Sequence, residues 1–97
     1  MKKKFEIWQT EDRNRIFLSS RTLKILELKP ELDASYQKVD EAEIEVDDAT
    51  SDMEILELIF YKGQFGTYKG RSISVSDIIK LEGQNYFCDD FGFLKIA

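Results

Sequence analysis

The sequence predicts an α+β domain: a small, mainly antiparallel β-sheet packed by two helices and finished by a C-terminal hairpin. Three observations carry that expectation. Extended patterns of period two occur at Phe5–Gln9 and again from Tyr36 onward. A helix with both of its ends signalled lies between Ser51 and Gly63. Beyond residue 72, turn residues divide the chain into short apolar runs, the pattern of hairpin strands.

In chain order, Phe5 and Ile7 share one side of the first strand, with Glu6 and Trp8 on the other. Thr10 to Arg15 reads as a turn, and Ile16-Phe17-Leu18 as a short second extended piece. Ser19 or Ser20 is placed to cap a helix reaching to about Leu28, with Leu23 and Leu26 on its buried face. Pro30 would stop it, because the residue before a proline is pushed out of helical geometry. From Tyr36 the chain turns extended again. Ala42, Ile44 and Val46 fall on one face of this strand; Glu41, Glu43 and Glu45 fall on the other, about 7 Å apart, and Asp47 and Asp48 continue the row.

Ser51 and Glu54 form a capping-box pattern ahead of Ile55, Leu56, Ile59 and Phe60, whose spacing gives a helix one apolar stripe. Asp52 and Glu54 suit the positive end of the helix dipole, and Gly63 suits its C-terminal stop. Gly63 to Gly70 is a glycine-punctuated connection. Ile73 to Leu81 reads as a strand with a bend at Ser76-Asp77, Glu82-Gly83-Gln84-Asn85 as a turn, and Tyr86-Phe87-Cys88 as the returning strand. Asp89-Asp90 makes a further turn, and Phe91 to Ile96 closes the chain.

A length of 97 residues with 42% hydrophobic side chains fits a single domain over residues 1–97. One cysteine, Cys88, cannot form an internal disulfide, which fits a reducing cytoplasm; it reads as a small buried hydrophobe. The basic start Met1-Lys2-Lys3-Lys4 is followed by Glu6, Gln9, Glu11 and Asp12 instead of the apolar run of a signal peptide. No stretch reaches the ~20 apolar residues that span a bilayer, so no membrane partner is expected. With no histidine, Ser-His and Cys-His nucleophile arrangements are excluded, and with only one cysteine as well, so are structural zinc and iron–sulfur sites. The carboxylates show no spacing that singles out a magnesium or acid–base site, and the glycine-rich stretch has neither P-loop nor dinucleotide spacing. No catalytic residue, metal or cofactor is therefore named, and the chain is not expected to be an enzyme.

The net charge of −5 is unevenly spread. Residues 1–30 carry eight basic and four acidic groups, residues 31–61 one basic and eleven acidic, and residues 62–97 five basic and four acidic. The acidic block reads as a solvated strand face, or as a surface on which Asp40, Glu41, Glu43, Glu45, Asp47 and Asp48 receive a basic protein by presenting charge as phosphates do. The alternative binding element is the loop carrying Tyr61, Lys62, Phe65, Tyr68, Lys69 and Arg71, where aromatics beside cations could stack single-stranded bases. The neighbouring acidic block would repel a polyanion, so nucleic acid is the less favoured partner.

The segment Tyr68-Lys69-Gly70-Arg71-Ser72-Ile73-Ser74-Val75-Ser76-Asp77-Ile78-Ile79 and the ending Tyr86-Phe87-Cys88-Asp89-Asp90-Phe91-Gly92-Phe93 resemble those of the YodL-like domain. Phe5-Glu6-Ile7-Trp8, Tyr36, Val39 and the helix after the acidic block fall where that family has similar elements, so the likeness covers nearly the whole chain. Cys88 stands where valine is usual, and the acidic block is more charged than the family norm. The resemblance implies an accessory module of conjugative elements, plasmids and phages of Gram-positive bacteria, near antirestriction genes and with no established activity. It also implies structural roles: Gly70 and Gly92 in tight turns, Asp77 capping a bend, Phe91 and Phe93 in the core.

Overall fold

The β-branched and aromatic residues of the amino-terminal segment form a long strand, β1 (Lys2–Thr10), and everything else is assembled around it. The remaining elements are α1 (Ser20–Ile25), β2 (Tyr36–Glu45), α2 (Asp52–Gly63), β3 (Ile78–Leu81), β4 (Gln84–Cys88) and β5 (Phe93–Ile96). This computed structural model describes residues 1–64, 66 and 69–97. The five strands make one sheet in the order β2-β1-β3-β4-β5, antiparallel at every pairing. The α+β architecture with a C-terminal hairpin is as expected.

The period-two pattern of β1 gives the sheet two apolar faces. On one, Phe5 and Ile7 join Ile79, Leu81, Tyr86 and Cys88 beneath Ile55, Leu56 and Ile59 of α2. On the other, Trp8 joins Tyr36, Ile78 and Phe87 beneath Leu23 of α1, with Leu28 and Leu32 from the segment that follows. The helices thus cover opposite faces. Where β1 meets β2 the register slips between Ile7 and Trp8, so that Ile7 opposes Asp40 and Trp8 opposes Lys38. Val39 is the extra residue of this bulge, and its side chain joins the α2 core.

α2 is built as its sequence dictates. The Ser51 side chain accepts the Glu54 N–H at 3.2 Å and donates to the Glu54 carboxylate at 3.1 Å, with Asp52 and Glu54 in the first turn. Its end differs from expectation. Gly63 is the last helical residue rather than the stop beyond it, and Gln64 caps the helix in ordinary right-handed geometry. Glycine is needed there for close approach: a Cβ on Gly63 would lie 2.1 Å from Cδ1 of Ile73.

Five further expectations are corrected. Ile16-Phe17-Leu18 is not extended: the Asp12 carbonyl accepts the N–H groups of Arg15 and Ile16, and Phe17 takes a left-handed φ of 64°. α1 ends at Ile25, well before Pro30, because Glu27 at φ 61° closes a Schellman motif in which Leu28 N–H reaches the Leu23 carbonyl at 2.8 Å. Leu26, expected on the buried face, is exposed as a result. Residues 73–77 are not strand, and only Ile78–Leu81 pairs in the sheet. Phe91 is 87% exposed instead of filling the core, while Phe93 packs edge-on to Phe60 with ring centroids 6.1 Å apart. The β3–β4 turn is a two-residue one in which Glu82 and Gly83 both have positive φ, the geometry that matches strand twist.

The Gly63–Ile73 contact reverses the usual effect of a helical Gly→Ala change, which elsewhere stabilises by up to about 1 kcal/mol. Gly63→Ala is expected to destabilise by about 1–3 kcal/mol through overpacking. Adding Ile73→Val should recover part of the loss, as read by urea denaturation.

Candidate functional site

The acidic block begins on β2, an edge strand whose outer neighbour position is empty among the described strands. Glu41, Glu43 and Glu45 alternate along it on one face, all exposed, so this part of the row is as read from the sequence. The rest of the block is dispersed. Asp40 lies on the opposite face, where its carboxylate accepts the Glu41 N–H at 2.9 Å. Asp47 and Asp48 lie beyond the end of β2, and Asp47 is used locally, accepting from Ala49 N–H at 3.0 Å and from the Thr50 hydroxyl at 2.9 Å.

The register adds what the sequence did not disclose. Lys4 lies directly opposite Glu43, and Lys2 opposite Glu45, on the same face. Lys38 reaches the Glu41 carboxylate at 3.2 Å. Glu6 accepts the Trp8 indole N–H at 2.9 Å and faces Lys80 on β3, whose ammonium sits 5.8 Å from the Trp8 ring centroid. Carboxylates thus form the outermost column; behind it β1 supplies Lys2 and Lys4 opposite Glu45 and Glu43, but Glu6 opposite Glu41, where Lys38 offsets the like charges. Cross-strand pairs of opposite charge of this kind contribute a few tenths of a kcal/mol each and relieve the repulsion within the glutamate row. A partner approaching the sheet edge-on meets carboxylates first; one approaching the face meets an alternating pattern.

The alternative binding loop is partly turned inward. Tyr61 and Lys62 stand exposed at the end of α2, and Lys69 is exposed with its N–H on the Val39 carbonyl at 2.9 Å, covering the β2 bulge. Phe65 and Tyr68 lie outside the described residues. Arg71 is directed into the protein. One of its terminal nitrogens donates to both Asp77 carboxylate oxygens, at 2.9 and 3.0 Å, and the other to the Thr10 carbonyl at 3.2 Å. The guanidinium also lies 4.9 Å from the Phe17 ring centroid.

Around this pair the segment 71–77 is locked. Asp77 is fully buried, and its Oδ2 also accepts the Ser74 N–H at 2.8 Å and the Gln9 amide at 3.0 Å. Asp77 therefore caps a bend, as its sequence context implies. The Gln9 amide further donates to the Arg71 carbonyl at 2.9 Å, and its oxygen accepts the Arg71 N–H at 3.2 Å. Ser76, at φ 85°, accepts the Phe17 N–H on its hydroxyl at 2.9 Å and the Tyr36 hydroxyl on its carbonyl at 2.6 Å. Burial pushes the Asp77 carboxyl above its ordinary value, opposed by the Ser74 N–H, the Arg71 charge and the Gln9 amide. Burial next to Asp77 likewise pushes the Cys88 thiol well up, so Cys88 is the inert core residue its sequence context suggests. Reading the sequence missed this network: Arg71 and Asp77 are six residues apart on a non-helical segment, and Gln9 is distant from both.

Removing the guanidinium strands a buried carboxylate. Arg71→Met is expected to cost about 3–5 kcal/mol near neutral pH. In that variant burial acts on Asp77 opposed only by the Ser74 N–H and the Gln9 amide, so its folded pKa stands still further above the unfolded value. The folded state then binds the proton more readily, and stability returns as pH falls through the raised value and is lost as pH rises through it. Adding Asp77→Asn should abolish this pH dependence, as seen in denaturant titrations across the acid range.

No helix among the described residues is long and apolar enough to cross a membrane. Neither the curated proteins nor the solved structures contain a match to the chain. The locked segment 71–77 and the hairpin from Tyr86 to Phe93 are the regions whose sequence resembles the YodL-like pattern, and that domain's profile matches residues 4–97. The chain belongs to the YodL-like domain family.

Proposed function

We propose that this domain is a non-enzymatic, protein-binding accessory module of a mobile genetic element. In this reading it acts in the cytoplasm and inhibits or regulates a basic, nucleic-acid-handling protein of host defence through the edge of β2. The observation that carries the proposal is the outermost column of the sheet: Glu41, Glu43 and Glu45 are all exposed on one face of an edge strand. Strand geometry spaces these carboxylates at about 7 Å, comparable to successive phosphates along a nucleic-acid strand. A groove lined by lysine and arginine would thus meet charges at a familiar repeat. Lys2 and Lys4 lie behind Glu45 and Glu43 on β1, while Glu41 pairs with Lys38 and Glu45 with the N-terminal ammonium in exposed contacts of the kind that exchange readily. Such complementarity acts chiefly on association rate and on the choice of partner.

The inward commitment of Arg71 supports this reading over binding of nucleic acid by the 61–71 loop, because that loop's arginine is held by Asp77. The test is affinity capture from a nuclease-treated lysate of a Gram-positive bacterium, comparing wild type with the triple variant Glu41→Lys, Glu43→Lys, Glu45→Lys. All three side chains are exposed, so the variant should fold. A basic nucleic-acid-binding protein retained by wild type and released at moderate salt should be lost from the variant. Identical capture by both proteins would overturn the proposal.

A further inference from the structure

The opposite edge of the sheet carries a different kind of surface. An open cleft of about 580 Å³ lies between α2 and the start of β5, lined by Glu57, Phe60, Tyr61, Val75, Asp90 and Phe93 among others. Its floor is aromatic, and it carries carboxylates. Tyr61 is 69% exposed beside it, and Phe91, in the turn leading to β5, is 87% exposed. Of the two adjacent aspartates, Asp89 is held by the Ser20 N–H at 3.0 Å and by the Ser20 hydroxyl. Asp90 is itself exposed and makes a solvent-exposed ion pair with Arg21, a contact of the kind that exchanges readily.

The backbone of β5 is oriented for pairing. Cys88 directs both its groups toward β3, donating its N–H to the Asp77 carbonyl at 2.7 Å and accepting the Ser76 N–H at 2.9 Å. The Cys88–Phe93 pair is therefore a non-hydrogen-bonded one, and antiparallel alternation turns the N–H and C=O of Phe93 and Lys95 outward. β5 is the last strand of the sheet, so these groups face an edge with no strand beside it among the described residues. A residue added opposite Phe93 would direct its side chain to the α2 side of the sheet, into the cleft.

We propose that this cleft docks an extended segment of a partner protein by strand addition to β5, with an arginine of that segment laid along Tyr61 and Phe93 toward Glu57 and Asp90. Three features select this occupant. Edge backbone groups take an extended chain and read alternate side chains through pockets. Aromatic faces beside carboxylates suit the flat, weakly hydrated guanidinium and its apolar stem. Lys95, two residues beyond Phe93 on the same face, favours an acidic residue two positions from the arginine and so fixes the register. A second copy of the chain fits less well, because pairing two β5 strands brings two Lys95 ammonium groups onto one face. The site is separate from the β2 edge and does not depend on the role proposed for it.

The test is an NMR titration of the ¹⁵N-labelled full chain with an end-blocked synthetic peptide of about nine residues, alternating valine and threonine, that carries one arginine and a glutamate two positions along. Amide shifts are expected at Phe93 and Lys95 and at Glu57 to Tyr61, and the same peptide with arginine replaced by glutamate should not bind. Glu57→Lys, an exposed substitution, should raise the Kd by about tenfold with the spectrum otherwise unchanged. Shifts confined to Glu41, Glu43 and Glu45, or an absence of shifts at millimolar peptide, would overturn the proposal. So would β5 shifts that follow protein concentration alone, which would show a second copy in the cleft.

Discussion

The ion pair between Arg71 and Asp77 is the constraint on which the rest of this fold depends. A carboxylate with no solvent exposure is tolerable only if its charge is opposed and its oxygens are hydrogen-bonded. Arg71, Gln9 and the Ser74 N–H together meet that demand. Meeting it ties the end of β1 to the 71–77 segment, and that segment in turn to β4 through the Asp77–Cys88 and Ser76–Cys88 backbone bonds. From the other face, Phe17 and Tyr36 bond to Ser76. A left-handed serine and a left-handed phenylalanine, each unfavourable alone, are held by these contacts. A second arginine, itself buried, works in parallel: Arg15 bonds to the Lys29 carbonyl and to Asp33, fastening the turn after β1 to the connection ahead of β2.

The two edges of the sheet are managed by different physics. Unpaired strand edges invite pairing with other chains, and charge is the common protection. On β2 the glutamates repel a second copy of the same edge, and Lys69 covers the bulge. β5 is instead very short, with one lysine and an aromatic neighbourhood. The β2 carboxylates that repel a second copy are the same ones proposed to admit a basic partner, whereas for the docking proposed at β5 selectivity would have to come from the cleft beside it.

What the sequence made legible was whatever is encoded locally. α2 could be read because its cap, dipole residues and apolar stripe are contiguous, and β2 because its alternation persists through Glu45. The C-terminal hairpin was signalled by Glu82-Gly83 and Asp89-Asp90. The misreadings occur where distant partners decide. Glu27 adopts a glycine-like conformation without being glycine, because it lets Leu28 pack, partly buried, against the cluster of Leu23. Ile73 to Asp77 has strand-like composition, but Asp77 draws the chain into a bend by bonding Ser74 and Arg71. The half of the candidate site that went unseen, Lys2 and Lys4 against Glu45 and Glu43, requires knowing the β1–β2 register, which a bulge at Val39 shifts by one residue.

Hydrogen exchange measured residue by residue tests most directly whether the 71–77 segment is the fastening point of the whole domain. If it is, the N–H groups of Ser74, Ser76 and Cys88 should exchange only through global unfolding, with the same opening free energy as Ile79 in the sheet centre. Exchange of Ser74 and Ser76 through a smaller local opening, while Ile79 stays fully protected, would contradict the account. It would show that the sheet stands without the ion pair to fasten it.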